Sequence, residues 1–383
     1  MSIVIDFTEF NSFSNLIYIL TYKIRKCDMI KRIIKMVYIR IIKIIDRMFY
    51  SKLDNDNILI FMTFREDVEP IIKALTKENF KVTIIYHPKY EKVIDEFDVY
   101  KTINMRNKYF IQQIISLKKA RVVIIDTYYL LLGSITKPKN QTVIQTWHAT
   151  GALKKFGLED ESIDLNNKKI INQYLDVYHY TDYYLIGSEI MGEIFVKSLD
   201  ANPLNMLKIG LPRLDQYNRK EIKNNKNKIA LYVPTYRDYN LNSNITIDKE
   251  LFEQNCPGYE LITKLHPAVP STSGQENETR DIQTLLLISD VVITDYSSLS
   301  IEAAYVDKPV IFFAYDEKEY NMKRGLNNYY YKMSEVNKAY TLNELYSLVN
   351  NLNNNSNIKK MWHTYNNGES TKLLLEFIKR KVE

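Results

Sequence analysis

Two short stretches hold residues whose types and spacing could do proton and phosphate chemistry: QTWHATG at 145–151 and ITDYSSLSIEAAYVDKPVIFF at 293–313. His148 stands just past an apolar run and is trailed by Ala149, Thr150 and Gly151. Small residues after a strand let a backbone approach a ligand closely. An imidazole that titrates near physiological pH can take a proton from an attacking hydroxyl. A loop histidine satisfied by a carbonyl is the plainer alternative. In the second stretch Thr294, Asp295, Ser297 and Ser298 lead into a helix. Hydroxyls and free N–H groups at a helix start favour phosphate, although capping alone would also account for the Ser-Ser pair. Glu302, one turn further on, could accept a ribose hydroxyl or stand as an exposed first-turn carboxylate.

His266, in KLHP (264–267), again ends an apolar run, and Pro267 blocks its continuation. An imidazolium there, beside a diphosphate, would stabilise or protonate the leaving phosphate. In YVPTYRD (232–238) Arg237 could clamp phosphate bidentately, with a surface pairing to Asp238 as the simple alternative. His87, His179 and His363 have no comparable setting and are taken as structural. No Walker A, GxGxxG, zinc motif or Ser-His-Asp order competes with these groups. No metal cluster is evident and no cofactor is expected; a divalent ion could assist, with no site assigned.

The elements that must position these residues follow from the hydrophobic pattern. After Leu53 apolar strands alternate with amphipathic helices, which predicts βαβ units. NILIFMTF (57–64), KVTIIYH (81–87), RVVIID (121–126), QTVIQTW (141–147) and YYLIGS (183–188) predict a first parallel sheet, with helices near 66–79, 106–119, 168–180 and 189–199. A domain boundary is expected in the polar run KEIKNNKNK (220–228). A second set, IALYVPT (229–235), YELITKL (259–265), DVVITD (290–295) and KPVIFF (308–313), is followed by a helical tail from about 341 to 380. The expected fold is therefore α/β of the GT-B kind, two Rossmann-like domains at 53–220 and 221–383 facing across a cleft, with ligands at the carboxyl ends of the strands.

The chain has 383 residues, 45% hydrophobic and 26% charged, the balance of a globular protein with two cores. Cys27 and Cys256 make no disulfide framework, which fits a reducing cytosol. The opening MSIVIDFTEF has no basic n-region or cleavage site, so no secretory signal is expected. The net charge is +6, yet Tyr22–Lys52 alone carries +8, so the basicity belongs to one segment within 1–52. There Ile30, Ile33, Ile34, Val37, Ile41, Ile44, Ile45 and Met48 recur at helical spacing. Charges interrupt the run too often for a membrane span. It predicts an interfacial helix on an anionic membrane surface, the alternative being a basic helix packed on the protein itself. Nucleic acid is not an expected partner, because the rest of the chain offers no basic stripe with aromatic platforms.

The ordered set QTWHATGALKKFG, GLPRLD (210–215), YVPTYRD, KLHP, TDYSS and RGLNNYY (324–331) resembles the CDP-glycerol glycerophosphotransferases of teichoic acid synthesis. The likeness runs from FMTFREDVEPIIKAL (61–75) through DTYYLLLG (126–133) to WHTYN (362–366), nearly the whole chain. It implies a GT-B enzyme at the inner membrane face that uses CDP-glycerol. It implies His148 and His266 as the two essential histidines. It implies a donor-binding set at Arg237, Thr294, Asp295, Ser297 and Ser298, to which Thr235, Glu302 and Arg324 are added. Polymerases of the family usually read His-Gly-Thr-Pro where this chain has HATG, and priming members carry His-Ala-Ser-Gly. The length also leaves no room for the polymerases' large extra N-terminal domain. The resemblance therefore points to the priming branch, which adds the first unit to an undecaprenyl-diphosphate-linked N-acetylmannosaminyl disaccharide, over a short polymerase or a capsule-type polyol-phosphate transferase.

Overall fold

The computed structural model describes residues 30, 33–49, 52–219, 227–237, 246–265, 278–352 and 356–383. Apolar runs bounded by turn residues become strands whose two faces are both buried, as a parallel sheet covered by helices demands. Seven form the first sheet: β1 (Asp54–Met62), β2 (Lys81–Tyr86), β3 (Lys101–Asn104), β4 (Ala120–Ile125), β5 (Thr142–Gln145), β6 (Tyr183–Leu185) and β7 (Met206–Leu207). Their order is β3-β2-β1-β4-β5-β6-β7, every pair parallel. The second sheet holds β8 (Lys228–Tyr232), β9 (Tyr259–Thr263), β10 (Val291–Thr294), β11 (Val310–Phe313) and β12 (Lys338–Ala339) in the order β12-β11-β10-β8-β9, also parallel. The winding reverses between β1 and β4 and again between β8 and β10, and a crevice opens at the carboxyl ends of strands at such points.

In the first half the helices are α1 (33–48), α2 (Arg65–Lys77), α3 (Phe110–Lys119), α4 (Lys168–Tyr178) and α5 (Glu189–Leu199). The second half carries α6 (Lys249–Asn255), α7 (Ile282–Ile288), α8 (Leu299–Tyr305), α9 (Glu317–Arg324), α10 (Asn328–Ser334), α11 (Leu342–Asn350), α12 (Ser356–Trp362) and α13 (Ser370–Val382). Alternation along β1 sends Leu59 and Phe61 to the core shared with Ile42 of α1, while Ile58, Ile60 and Met62 face the other core.

The alternative reading of the basic helix, packing on the protein itself, holds in part. α1 packs on the protein through Ile42, fully buried, and through Asp46, whose carboxylate takes the Lys118 ammonium at 2.8 Å and the Thr136 N–H at 3.0 Å. Ile45, expected with the apolar stripe, is half-buried against that core. The remaining Ile30, Ile33, Ile34, Val37, Ile41, Ile44 and Met48 stay exposed. Among the described residues no helix is long and apolar enough to cross a membrane.

The expected boundary falls largely on residues outside the described set. The tail, expected to finish its own domain, instead returns to the first one. Phe377 packs on Tyr183 at 4.9 Å, Lys379 pairs with Glu78 at 2.6 Å, and Lys381 meets the Tyr183 hydroxyl at 2.9 Å. GLPRLD receives it. Asp215 caps α13 by accepting the Ser370 and Thr371 N–H groups, and the Asn366 amide oxygen accepts the Leu211 N–H. Gly210 is at φ +81°, where a Cβ would stand 2.4 Å from Ser370 Oγ and 2.6 Å from the Tyr365 carbonyl.

Candidate active site

Between the two sheets lies a cavity of about 830 Å³. The first domain lines it with Trp147, His148 and the segment 151–156; the second contributes Val233–Tyr236, Lys264, Leu265, Tyr296–Ser298, Lys323 and Arg324. Among the described residues, Lys154, Lys155, Lys264, Lys323 and Arg324 face it against one carboxylate, Asp160. Such a cleft attracts a polyanion and raises its local concentration.

The floor is a cross-domain backbone lock. The Lys155 N–H donates to the Gly325 carbonyl at 2.9 Å, and the Asn327 N–H donates to the Leu153 carbonyl at 3.0 Å. The Asn327 side chain adds a bond to the Ala152 carbonyl at 2.6 Å. ALKK and RGLN are thus one ladder, which sets Lys154, Lys155 and Arg324 at the same edge. Gly151 serves packing rather than ligand approach. A Cβ there would come within 2.3 Å of Ile301 Cδ1 and 2.9 Å of the Trp362 ring, both in the second half of the chain.

His148 is positioned from three sides. Trp147 before it adopts φ +65°, a left-handed conformation that costs a side-chain-bearing residue about 1–2 kcal/mol. The imidazole stacks on Phe64 at 4.5 Å and leans on Trp147 at 4.3 Å. Its Nδ1 lies 3.1 Å from the Asp126 carbonyl. A carbonyl only accepts, so Nδ1 carries the proton and Nε2 keeps its lone pair. Burial pushes the pKa down to about 4, with the Asp126 carbonyl opposing and the Arg213 charge assisting, so the ring is neutral at physiological pH. Asp126 fixes both sides of this arrangement. Its carboxylate accepts the Thr63 and Phe64 N–H groups at 2.6 and 2.7 Å and the Tyr129 hydroxyl, while burial pushes its pKa up to about 6. Neither Asp126 nor Phe64 was singled out from sequence; their only signal there is membership of the FMTF and DTYYLLLG segments.

Of the other expected residues, Thr235, Ser297, Ser298 and Arg324 line the cavity. The Ser297 hydroxyl accepts the Leu299 N–H at 3.2 Å, the Ser298 side chain caps nothing, and the Ser298 carbonyl accepts the Thr150 hydroxyl across the cleft at 3.1 Å. Arg237, Thr294 and Asp295 stand behind the wall. Arg237 is fully buried; its guanidinium pairs with Asp295 at 2.5 Å and Asp316 at 2.9 Å and donates to the Thr235 carbonyl. Arg237 is expected from sequence to clamp phosphate, with a surface pairing as the alternative; the structure has it buried behind the wall instead, since a buried cation is held by carboxylates rather than left to solvent. Asp295 also accepts the Thr235 N–H and hydroxyl, and Thr294 donates to the Val233 carbonyl at 2.7 Å. These three brace the loop that carries Thr235 and Tyr236.

Glu302 is neither exposed nor turned to the cleft. It accepts the Tyr217 hydroxyl at 2.5 Å and pairs with Arg213 at 3.1 Å, and Arg213 reaches Asp67 of α2 at 2.8 Å. This buried network joins the domains, and burial pushes Asp67 up to about 7 in spite of its arginine. His266 lies outside the described residues, next in the chain after the cavity-lining Leu265. His87, His179 and His363 bond the Lys89 N–H, the Asp200 carboxylate and the Ile301 carbonyl respectively, and none lines the cavity.

Two doubly wound sheets, a cationic cleft at their carboxyl ends and a neutral histidine across it define a GT-B transferase of a phosphate-bearing donor. Comparison narrows the class: the family model for CDP-Glycerol:Poly(glycerophosphate) glycerophosphotransferase matches residues 44–379, and the chain belongs to that family. It is 41% identical to the teichoic acid glycerol-phosphate primase of Staphylococcus aureus, covering 91% of this chain and 99% of that one. The Bacillus subtilis protein of the same name is 32% identical over 85% of this chain and 92% of its own. Among solved structures the wall teichoic acid polymerase TagF superposes with a TM-score of 0.71 at 20% identity, covering 94% of this chain and 98% of that chain. A UDP-GlcNAc 2-epimerase from Methanocaldococcus jannaschii reaches 0.55 at 15% identity, covering 85% and 99%. Both share the GT-B fold.

Proposed function

We propose that this CDP-glycerol glycerophosphotransferase is a teichoic acid primase, which moves one glycerol phosphate from CDP-glycerol to an undecaprenyl-diphosphate-linked disaccharide and releases CMP. The observation that carries it is near full-length likeness to two proteins named as primases, 99% and 92% of whose lengths are matched. Two named polymerases are matched over only 41% and 36% of theirs.

The acceptor hydroxyl gives its proton to His148 Nε2 as its oxygen bonds the β-phosphorus. The bond from that phosphorus to the bridging oxygen breaks, and the oxygen leaves with CMP. Lys154, Lys155, Lys264, Lys323 and Arg324 offset the diphosphate charge from both domains, with Ser297 and Ser298 as hydroxyl donors and His266 as the leaving-group partner. Positioning and charge stabilisation supply most of the rate in phosphoryl transfer. The exposed stripe of α1, edged by Arg40, Lys43 and Arg47, holds the enzyme on the anionic inner leaflet where an undecaprenyl acceptor is confined.

Incubation with CDP-glycerol and a short-chain lipid-linked disaccharide, followed by mass measurement, tests this reading. One added unit per acceptor with equimolar CMP is expected. A ladder of many units would make the chain a polymerase, and no transfer would remove the reading.

A further inference from the structure

A second cavity, of about 300 Å³, lies in the first domain and shares Trp147, Phe156 and Asp160 with the cleft. Tyr128, Tyr174 and Tyr178 form its far side, their rings 5.5–6.0 Å apart. We infer that this aromatic cavity is the acceptor subsite and takes the terminal pyranose of the saccharide; the inference rests on the transferase reading above. Aromatic faces pack the C–H faces of a sugar ring, while phenol hydroxyls and a carboxylate can bond its edge. The Tyr128 hydroxyl is buried with the Gln173 side chain as its hydrogen-bonding neighbour, and a ligand hydroxyl could join that pair.

The placement suits the reaction. Trp147 is the wall between the two cavities, and the His148 ring rests on it at 4.3 Å. A hydroxyl projecting past Trp147 therefore reaches the imidazole. On the outer side Tyr174 belongs to α4, where the Lys35 ammonium of α1 lies 5.7 Å from its ring. The lipid end of an acceptor seated here leaves beside the helix that carries the exposed apolar stripe. An isoprenoid chain in the cavity would instead set hydrocarbon against the tyrosine hydroxyls and Asp160, leaving polar groups without partners.

The test uses Tyr174→Ala and Tyr174→Phe in the full chain, each with its melting temperature checked against wild type. With a soluble disaccharide–diphosphate bearing a short alkyl chain, Tyr174→Ala should raise the acceptor KM about tenfold, the scale of a lost aromatic contact. Affinity for CDP-glycerol should hold, and Tyr174→Phe, which keeps the ring, should raise the acceptor KM less than Tyr174→Ala. Saturation-transfer NMR with the lipid-free disaccharide should show binding to wild type and Tyr174→Phe and its loss in Tyr174→Ala. An unchanged KM in the alanine variant overturns the assignment. So does a loss confined to long polyprenyl acceptors, which would make the cavity a lipid groove. If wild type transfers nothing, yet the disaccharide binds and Tyr174→Ala abolishes binding, the functional reading falls while the sugar site stands.

Discussion

At the scale of single residues the arrangement around His148 makes a protonation claim. Its Nδ1 proton is committed to the Asp126 carbonyl and its pKa lies near 4, against an ordinary 6.5. NMR titration of the ring signal that vanishes in His148→Gln should show the Nδ1-protonated neutral form down to that range. A midpoint near the ordinary value would mean a solvated imidazole and sink the tautomer argument. Arg237 carries a different expectation. A guanidinium buried between Asp295 and Asp316 is a brace, so Arg237→Ala should cost about 3–5 kcal/mol of stability through the two carboxylates left unpaired. Denaturant unfolding measures this; a variant as stable as wild type that binds CDP-glycerol weakly would return Arg237 to the role of phosphate clamp. The motifs were legible because strand ends and turn residues are local signals. Which face of its loop Arg237 shows was not, because its partners Asp295 and Asp316 lie 58 and 79 positions away in sequence.

At the scale of elements, every strand expected from sequence is present, with ends shifted by a few residues. β3, β7 and β12, of 4, 2 and 2 residues, were missed. Edge and short strands lack the continuous apolar run that marks a strand buried on both faces. Helix α5 falls where its amphipathic pattern put it, at 189–199. α1 was half legible: one face by periodicity, the docked face only once Ile42 and Asp46 found their partners on the first domain. Deleting residues 1–50 would therefore uncover a core as well as remove the stripe. The sharper variant replaces Ile34, Ile41, Ile44 and Met48 with serine and leaves Ile42 and Asp46 alone. It should keep its melting temperature and its activity on a soluble short-chain acceptor, yet no longer float with anionic vesicles. Continued flotation would show that the stripe is not the membrane contact.

At the scale of the whole molecule the domains are joined by charge as well as by chain. Arg213 bridges Asp67 and Glu302, and Arg213→Ala should cost about 3–5 kcal/mol because both carboxylates stay buried without their cation. Acid should soften that loss. Asp67 already sits near 7, the vanished cation raises it further, and the folded variant then holds a proton that the unfolded chain does not. The variant's stability should fall as pH rises through neutrality. Unfolding at pH 5.5 and 8 tests the sign, about 7 being the native value; equal losses would show that Asp67 is not the responding group. None of this was legible in the sequence, where Arg213 read only as a letter in GLPRLD. The same motif has a mechanical consequence. The chain leaves the first domain near 211–219 and returns to it near 362–371, and Asp215 and Asn366 bond the two passages side by side. One tether would let the lobes swing and twist about three axes. Two tethers fastened at a common knot, with the Arg213 network and the ALKK–RGLN ladder beside them, leave no axis free and hold the lobes in register. His148 therefore keeps one place across the cavity from the serines, and the first turn of α13 is part of the fastening.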